Sequence, residues 1–232
     1  MLFDAIGGNL TFWEIFINLL SALAVIFLTL PIHEFAHGFV STRLGDPTPR
    51  YQGRLTLNPM AHIDWMGAAA LLLFGIGWAK PVQVNANYYK NPKWGMAAVA
   101  LAGPVSNVLV AFAALLIHYI IFAILILVNA TEIIFSLYMY ISFFLAGIAQ
   151  INVYLAVFNL IPVPPFDGSR ILFTFLPQRY YFKIMQYERY IYIGVFALLY
   201  IGILDVPISF LSNTVFEGIN VIARFPLYLI GV

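Results

Sequence analysis

The chain has 232 residues, of which 62% are hydrophobic and only 9% charged, with a formal net charge of +1. Soluble domains carry about 25% charged residues, so this composition excludes a soluble globular protein and points to an integral membrane protein whose surroundings are the lipid bilayer. No cluster of Lys and Arg suggests nucleic acid, and with no cysteine any metal must be held by His and carboxylate.

In chain order, residues 1–9 are short, Gly-containing and read as interfacial. No basic residue precedes Arg43, so there is no signal-peptide n-region, and the first apolar run reads as a retained span. That run covers residues 11–44, longer than the roughly 20 residues needed to cross a bilayer, so it is tilted or broken, with Pro31 as the expected break. Inside it, His33-Glu34-Phe35-Ala36-His37 reads H-E-x-x-H. On a helix the two histidines share a face and both imidazoles reach one Zn²⁺, while Glu34 is placed to take a proton from a bound water. Ionisable groups at membrane depth cost roughly 2.5–3.5 kcal/mol each, which favours a function over the competing reading of two histidines hydrogen-bonded in a bundle core.

Residues 45–93 differ in composition. Tyr51, Gly53, Leu55 and Leu57 alternate with Gln52, Arg54 and Thr56, and Val82 and Val84 alternate with Gln83 and Asn85. Both patterns predict short strands. Between them, residues 66–79 are apolar, contain Gly67, Gly75 and Gly77, and are too few to cross, so a re-entrant or interfacial segment is expected. Further spans are predicted over residues 95–128 (with a break at Gly103-Pro104), 133–161, 190–204 and 207–229. The expected fold is an all-α polytopic membrane protein with about five transmembrane helices, plus a re-entrant segment and short β-strands between the first two. It forms one domain over 1–232, with a catalytic core at about 10–189 and a C-terminal helix pair at about 190–230. If residues 45–93 do not cross, the N-terminus is outside, the loops 129–132 and 205–206 are outside, and 43–93 and 170–189 are cytoplasmic, where they gather ten of the 11 basic residues.

A catalytic zinc needs three protein ligands and an open position. In this topology His33 and His37 lie near the cytoplasmic end of the first span, and Asp167 lies just past the cytoplasmic end of the third. A lone Asp-Gly is ordinarily a turn after a helix. Here Pro162, Pro164 and Pro165 precede it, cannot be helical and remove backbone donors. Irregular backbone at membrane depth belongs where protein or water satisfies it, so this segment reads as the wall of a hydrated cavity. A downstream Glu, Glu188, is the competing third ligand.

His33-Glu34-Phe35-Ala36-His37, then Gly103-Pro104-Val105-Ser106-Asn107, then Asn159 through Asp167-Gly168 as N-x-x-P-x-P-x-x-D-G, resemble the site-2 protease family of intramembrane metalloproteases. Gly45-Asp46-Pro47, Gly53-Arg54-Leu55 and Trp78-Ala79-Lys80-Pro81-Val82 resemble its compact prokaryotic branch, with no insertion long enough for a PDZ or CBS domain. The resemblance implies one zinc on His33, His37 and Asp167, Glu34 as catalytic base, and Asn107 and Asn159 as substrate- or transition-state-binding residues. It implies single-span transmembrane proteins as substrates, cleaved in regulated intramembrane proteolysis at the cell membrane. His62 reads as structural, His118 as packing, and Glu188 as a partner for a nearby base. The strand-like pieces 54–58 and 82–85 are expected to offer an edge to an extended substrate. The competing functions are a membrane zinc transporter or sensor, and an inactive relative that only binds substrates.

Overall fold

The computed structural model describes residues 12–74 and 78–231; the interfacial reading of residues 1–9, and Gly75 and Gly77, lie outside them. Helix α1 (Phe12–Ala24) passes through a π-helical segment (Val25–Thr29) into α2 (Leu30–Arg43). The expected break at Pro31 is instead a widened turn. A proline lacks the N–H and crowds the carbonyl four residues back; here the ladder shifts register just before it, with the Leu30 N–H donating to the Val25 carbonyl, and the helix continues. Buried Asn152 holds this segment from across the bundle by donating to Thr29 Oγ1 at 3.1 Å.

The connection to the next long helix carries α3 (Thr48–Tyr51), a 3₁₀ turn (Pro59–Ala61), α4 (Trp65–Phe74) and a second 3₁₀ turn (Ala86–Tyr88). The ten residues of α4 are too few to cross a bilayer, as the sequence suggests. The two predicted strands do not form, and among the described residues only an isolated antiparallel bridge joins Ile63 and Ala79. The reason lies in side chains that capture the backbone. Gly53 turns the chain with φ of 67°, and Arg54, expected on an open strand face, is buried and donates to the Ala61 carbonyl. The N–H groups of Val82 and Asn85 go to the carboxylates of Glu34 and Asp46 rather than to a neighbouring strand.

Helix α5 (Pro92–Leu127) runs unbroken through Pro104, so the break expected there is absent; prolines persist in spans where neighbouring helices support the loosened turn, and Pro104 is buried. There follow α6 (Glu132–Asn159), α7 (Asp167–Phe175), α8 (Gln178–Gln186), α9 (Glu188–Ile201), α10 (Asp205–Ala223) and α11 (Phe225–Tyr228). Among the described residues, four helical stretches are long and apolar enough to cross a membrane, Ile15–Arg43, Pro92–Leu127, Glu132–Asn159 and Asp205–Tyr228, making this a multi-pass membrane protein. Helix α5 packs on α2, α6 and α7, and α10 closes the bundle against α5 and α6. Small residues at the seams, Ala111 and Ala114 of α5, Ala149 of α6 and Ala223 of α10, let the backbones approach.

The fifth span expected over 190–204 is not one of them. Helix α9 has 14 residues, about 21 Å of rise against a hydrocarbon core of about 30 Å. Its first residue, Glu188, lines a cavity with Lys93 at the start of α5. The last turns of α10 are tied to α5, where Tyr119 Oη donates to Asn220 and Arg224 Nε donates to Tyr119.

Candidate metal centre

Helix α2 presents His33 and His37 one turn apart, both buried, and α7 begins with Asp167. Their ligand atoms converge. The two Nε2 atoms are 3.1 Å apart, and Asp167 Oδ2 lies 3.4 Å from that of His33 and 3.2 Å from that of His37. The polyproline stretch makes this possible by ending α6 at Asn159 and restarting the helix at Asp167. Gly168 is needed at the return because a Cβ there would overlap the backbone of Leu160 and Ile161. The Asp-Gly pair thus both makes the turn and brings the carboxylate into the group that could hold a metal. Glu188, the competing ligand, is not in this group.

The residues fit a zinc ion. His37 Nδ1 lies 2.7 Å from the Val99 carbonyl, which can only accept, so the proton is on Nδ1 and the lone pair on Nε2. His33 Nδ1 donates in the same way to Asn107 Oδ1 at 3.3 Å. Such outer hydrogen bonds fix the tautomer and ring orientation that a metal requires. Burial alone would push the Asp167 carboxyl up, but His33 and His37, when protonated on both ring nitrogens, hold it well below the usual carboxylate range. Two imidazole lone pairs and a carboxylate oxygen, all within 4.8 Å of one another, form the His/carboxylate set that a catalytic zinc uses.

Helix α5 closes the third side. A Cβ at Gly103 would sit 2.5 Å from His33 Cε1 and His37 Nε2, so the helix can approach the imidazoles only without a side chain there. Glu34 is partly buried, and its Oε2 accepts the Val82 N–H at 2.8 Å. Of the two asparagines, Asn107 joins the centre through His33 and keeps a buried Nδ2 with no partner among the described residues. Asn159, the last residue of α6, is not part of the group formed by His33, His37 and Asp167. His62 is fully buried and donates to the Thr56 carbonyl at 2.8 Å, tying the connection together. His118 pairs with Tyr138 at the far end of the bundle. The Val99 carbonyl left no trace in the sequence, whereas Asn152 is legible as an amide in an apolar span.

The fold and this centre define a class: a membrane-embedded H-E-x-x-H protein with a third ligand from a distant helix. Residues 21–202 match the family model for peptidase family M50. YwhC of Bacillus subtilis, named as a candidate zinc metalloprotease, is 38% identical over 176 residues, covering 75% of this chain and 77% of the relative. A candidate zinc metalloprotease of Methanocaldococcus jannaschii is 32% identical over 145 residues, 60% of this chain and 62% of that one. Another, Rip2 of Mycolicibacterium smegmatis, is 30% identical over 153 residues and matches along 51% of its own length. No solved structure gives a significant match. The chain belongs to peptidase family M50, the site-2 protease family, and zinc is its metal.

Proposed function

We propose that this protein is an intramembrane zinc endopeptidase that hydrolyses peptide bonds within or beside the transmembrane segment of single-span membrane proteins. The observation that carries the reading is the convergence of His33, His37 and Asp167 inside a membrane bundle with Glu34 next in sequence. Gly103, against the imidazoles, lies nine residues past Trp94 of α5, about 13 Å along the helix. Exposed tryptophans settle at the membrane interface, so the centre is shallow, close to one face. Every Lys and Arg except Arg224 belongs to that end of the bundle, which favours the cytoplasmic side of the cell membrane, with the N-terminus outside.

His33, His37 and Asp167 would hold a zinc ion, which would supply Lewis acidity toward the scissile carbonyl and lower the pKa of a water toward about 7. Val99 and Asn107 keep the imidazole lone pairs aimed inward. Glu34 takes the proton of the attacking water and returns it to the leaving amine, a role worth about 10²–10⁴ in rate. The free Nδ2 of Asn107 is a donor for a substrate carbonyl, and Asn159 at the mouth of α6 is a second polar contact for the substrate. A helical substrate has its carbonyls bonded, so the segment must unwind before attack.

The test is zinc content together with cleavage of a single-span substrate by wild type and Glu34→Gln. Zinc in both and cleavage by wild type alone supports the reading. Zinc in both and cleavage by neither overturns it in favour of a membrane zinc-binding protein.

A further inference from the structure

A cavity of about 410 Å³ opens between the start of α5, the polyproline turn, α7 and the helices that follow it. Its walls include Met96, Pro164, Phe173 and Met185, with Arg170 and Glu188 among its charged residues. None of these is a metal ligand, yet the walls are continuous with the centre. Pro164 and Pro165 lead into Asp167, and Met96 lies one turn before Val99, whose carbonyl holds His37.

We propose that this cavity is a specificity pocket that receives a bulky apolar side chain of the substrate, about three residues to the cytosolic side of the scissile bond. The inference rests on the peptidase reading above. Two walls give the spacing independently. Phe173 is six residues beyond Asp167 along α7, about 9 Å, and Met96 is seven residues before Gly103 along α5, about 10 Å. An extended chain advances about 3.3 Å per residue, so a substrate leaving the metal centre reaches the middle of the cavity at its third residue.

The chemistry of the walls fits that occupant. Two methionines and a phenylalanine offer an adaptable apolar surface. The volume lies within the roughly 300–1,000 Å³ range of formed ligand sites, enough for one large side chain with its flanking backbone. The pocket is braced: Lys93 Nζ donates to the Leu176 carbonyl at 3.2 Å, and Thr174 Oγ1 donates to the Lys93 carbonyl at 3.2 Å, fastening the end of α7 to the start of α5. Arg170 is exposed at the cavity and brings guanidinium donors to it that suit the carbonyls of an unwound chain.

The chain contains no cysteine, so a single Met185→Cys in the full-length Glu34→Gln protein reports on the pocket alone. Paired with single-span substrates that carry one cysteine at successive positions, it is expected to give a disulfide yield that peaks about three residues cytosolic of the wild-type cut. A flat yield, or a peak on the opposite side of the cut, would overturn the pocket. In the second arm, wild type is expected to favour Leu or Phe over Gly at that substrate position by about 10-fold or more in kcat/KM. Met96→Trp should fill the cavity and erase the preference with zinc content unchanged; Phe173→Ala, should the first variant fail to fold, should shift the preference toward Trp. Folded variants with wild-type selectivity would count against the pocket. No cleavage by wild type would overturn the peptidase reading, and crosslinking to the cytosolic flank would still decide whether substrate enters the cavity.

Discussion

The main-chain N–H of Val82 donates to Glu34 Oε2 at 2.8 Å, joining residues 48 positions apart in sequence. The carboxylate proposed above for proton transfer is therefore held by the connection between the first two long helices. Val82 is buried against Gly38 of α2, and the substrate-pairing edge expected at 82–85 has already spent this N–H. Val82→Pro removes the donor. Cleavage should fall about 10-fold, as for partners that orient a catalytic group, with zinc content unchanged. Val84→Pro, which leaves the Glu34 contact in place, should stay near wild type. Equal losses in both variants would point back to substrate pairing along the segment.

The same connection is anchored by Asp46, which is fully buried. Burial alone would push its carboxyl up, but hydrogen bonds from Thr48, Asn85 and Ser41 outweigh it and hold the group below its ordinary value. A depressed carboxylate contributes stability above its unfolded pKa of about 3.9 and loses it as pH falls through the folded value. Asp46→Asn should therefore melt lower than wild type by a margin constant above about pH 5, worth about 2 kcal/mol for lost charge-assisted bonds. The margin should narrow on acidification below pH 4. Thermal melts across this range would reject the anchor if the margin grew with acid instead.

Where sequence and structure agree, the information was local or chemically unusual. His33 and His37 need only helical spacing to share a face, and three prolines ahead of Asp167 cannot be hidden in a helix. The misses have a common cause in long-range backbone partners. Gln52, Arg54 and Thr56 alternate as a strand should, but Arg54 finds the Ala61 carbonyl and is buried. The alternation at 82–85 is real, yet its N–H groups face Glu34 and Asp46. Helix α9 is apolar enough to suggest a span, but its 14 residues are too few to cross the hydrocarbon core. Gly103-Pro104 reads as a break, whereas the glycine serves close approach and the helix runs on.

His33 depends on Asn107 for its tautomer. Asn107→Ala leaves His33 Nδ1 without its acceptor at 3.3 Å, and zinc affinity should drop about 10–100-fold. Asn107→Asp keeps an acceptor at that place and should bind zinc more tightly than the alanine variant, even if cleavage is lost with the Nδ2 donor. Competition with a chelator on the purified proteins measures both. Wild-type affinity in Asn107→Ala would remove this residue from the support of the centre.

Gly103→Ala tests the packing of α5 against the ligands with a single methyl. The new Cβ would lie 2.5 Å from His33 Cε1 and His37 Nε2, and neither ring can withdraw without leaving Asp167. Zinc occupancy should fall to background. Gly218→Ala provides the comparison, because a Cβ there meets nothing within 4 Å. Both positions are helical, so both variants gain the same intrinsic preference of alanine over glycine, about 0.5–1 kcal/mol. Any difference in bound zinc between them isolates the collision at the imidazoles. Full zinc occupancy in Gly103→Ala would mean that the helix can back away, and that the third wall of the centre is not fixed.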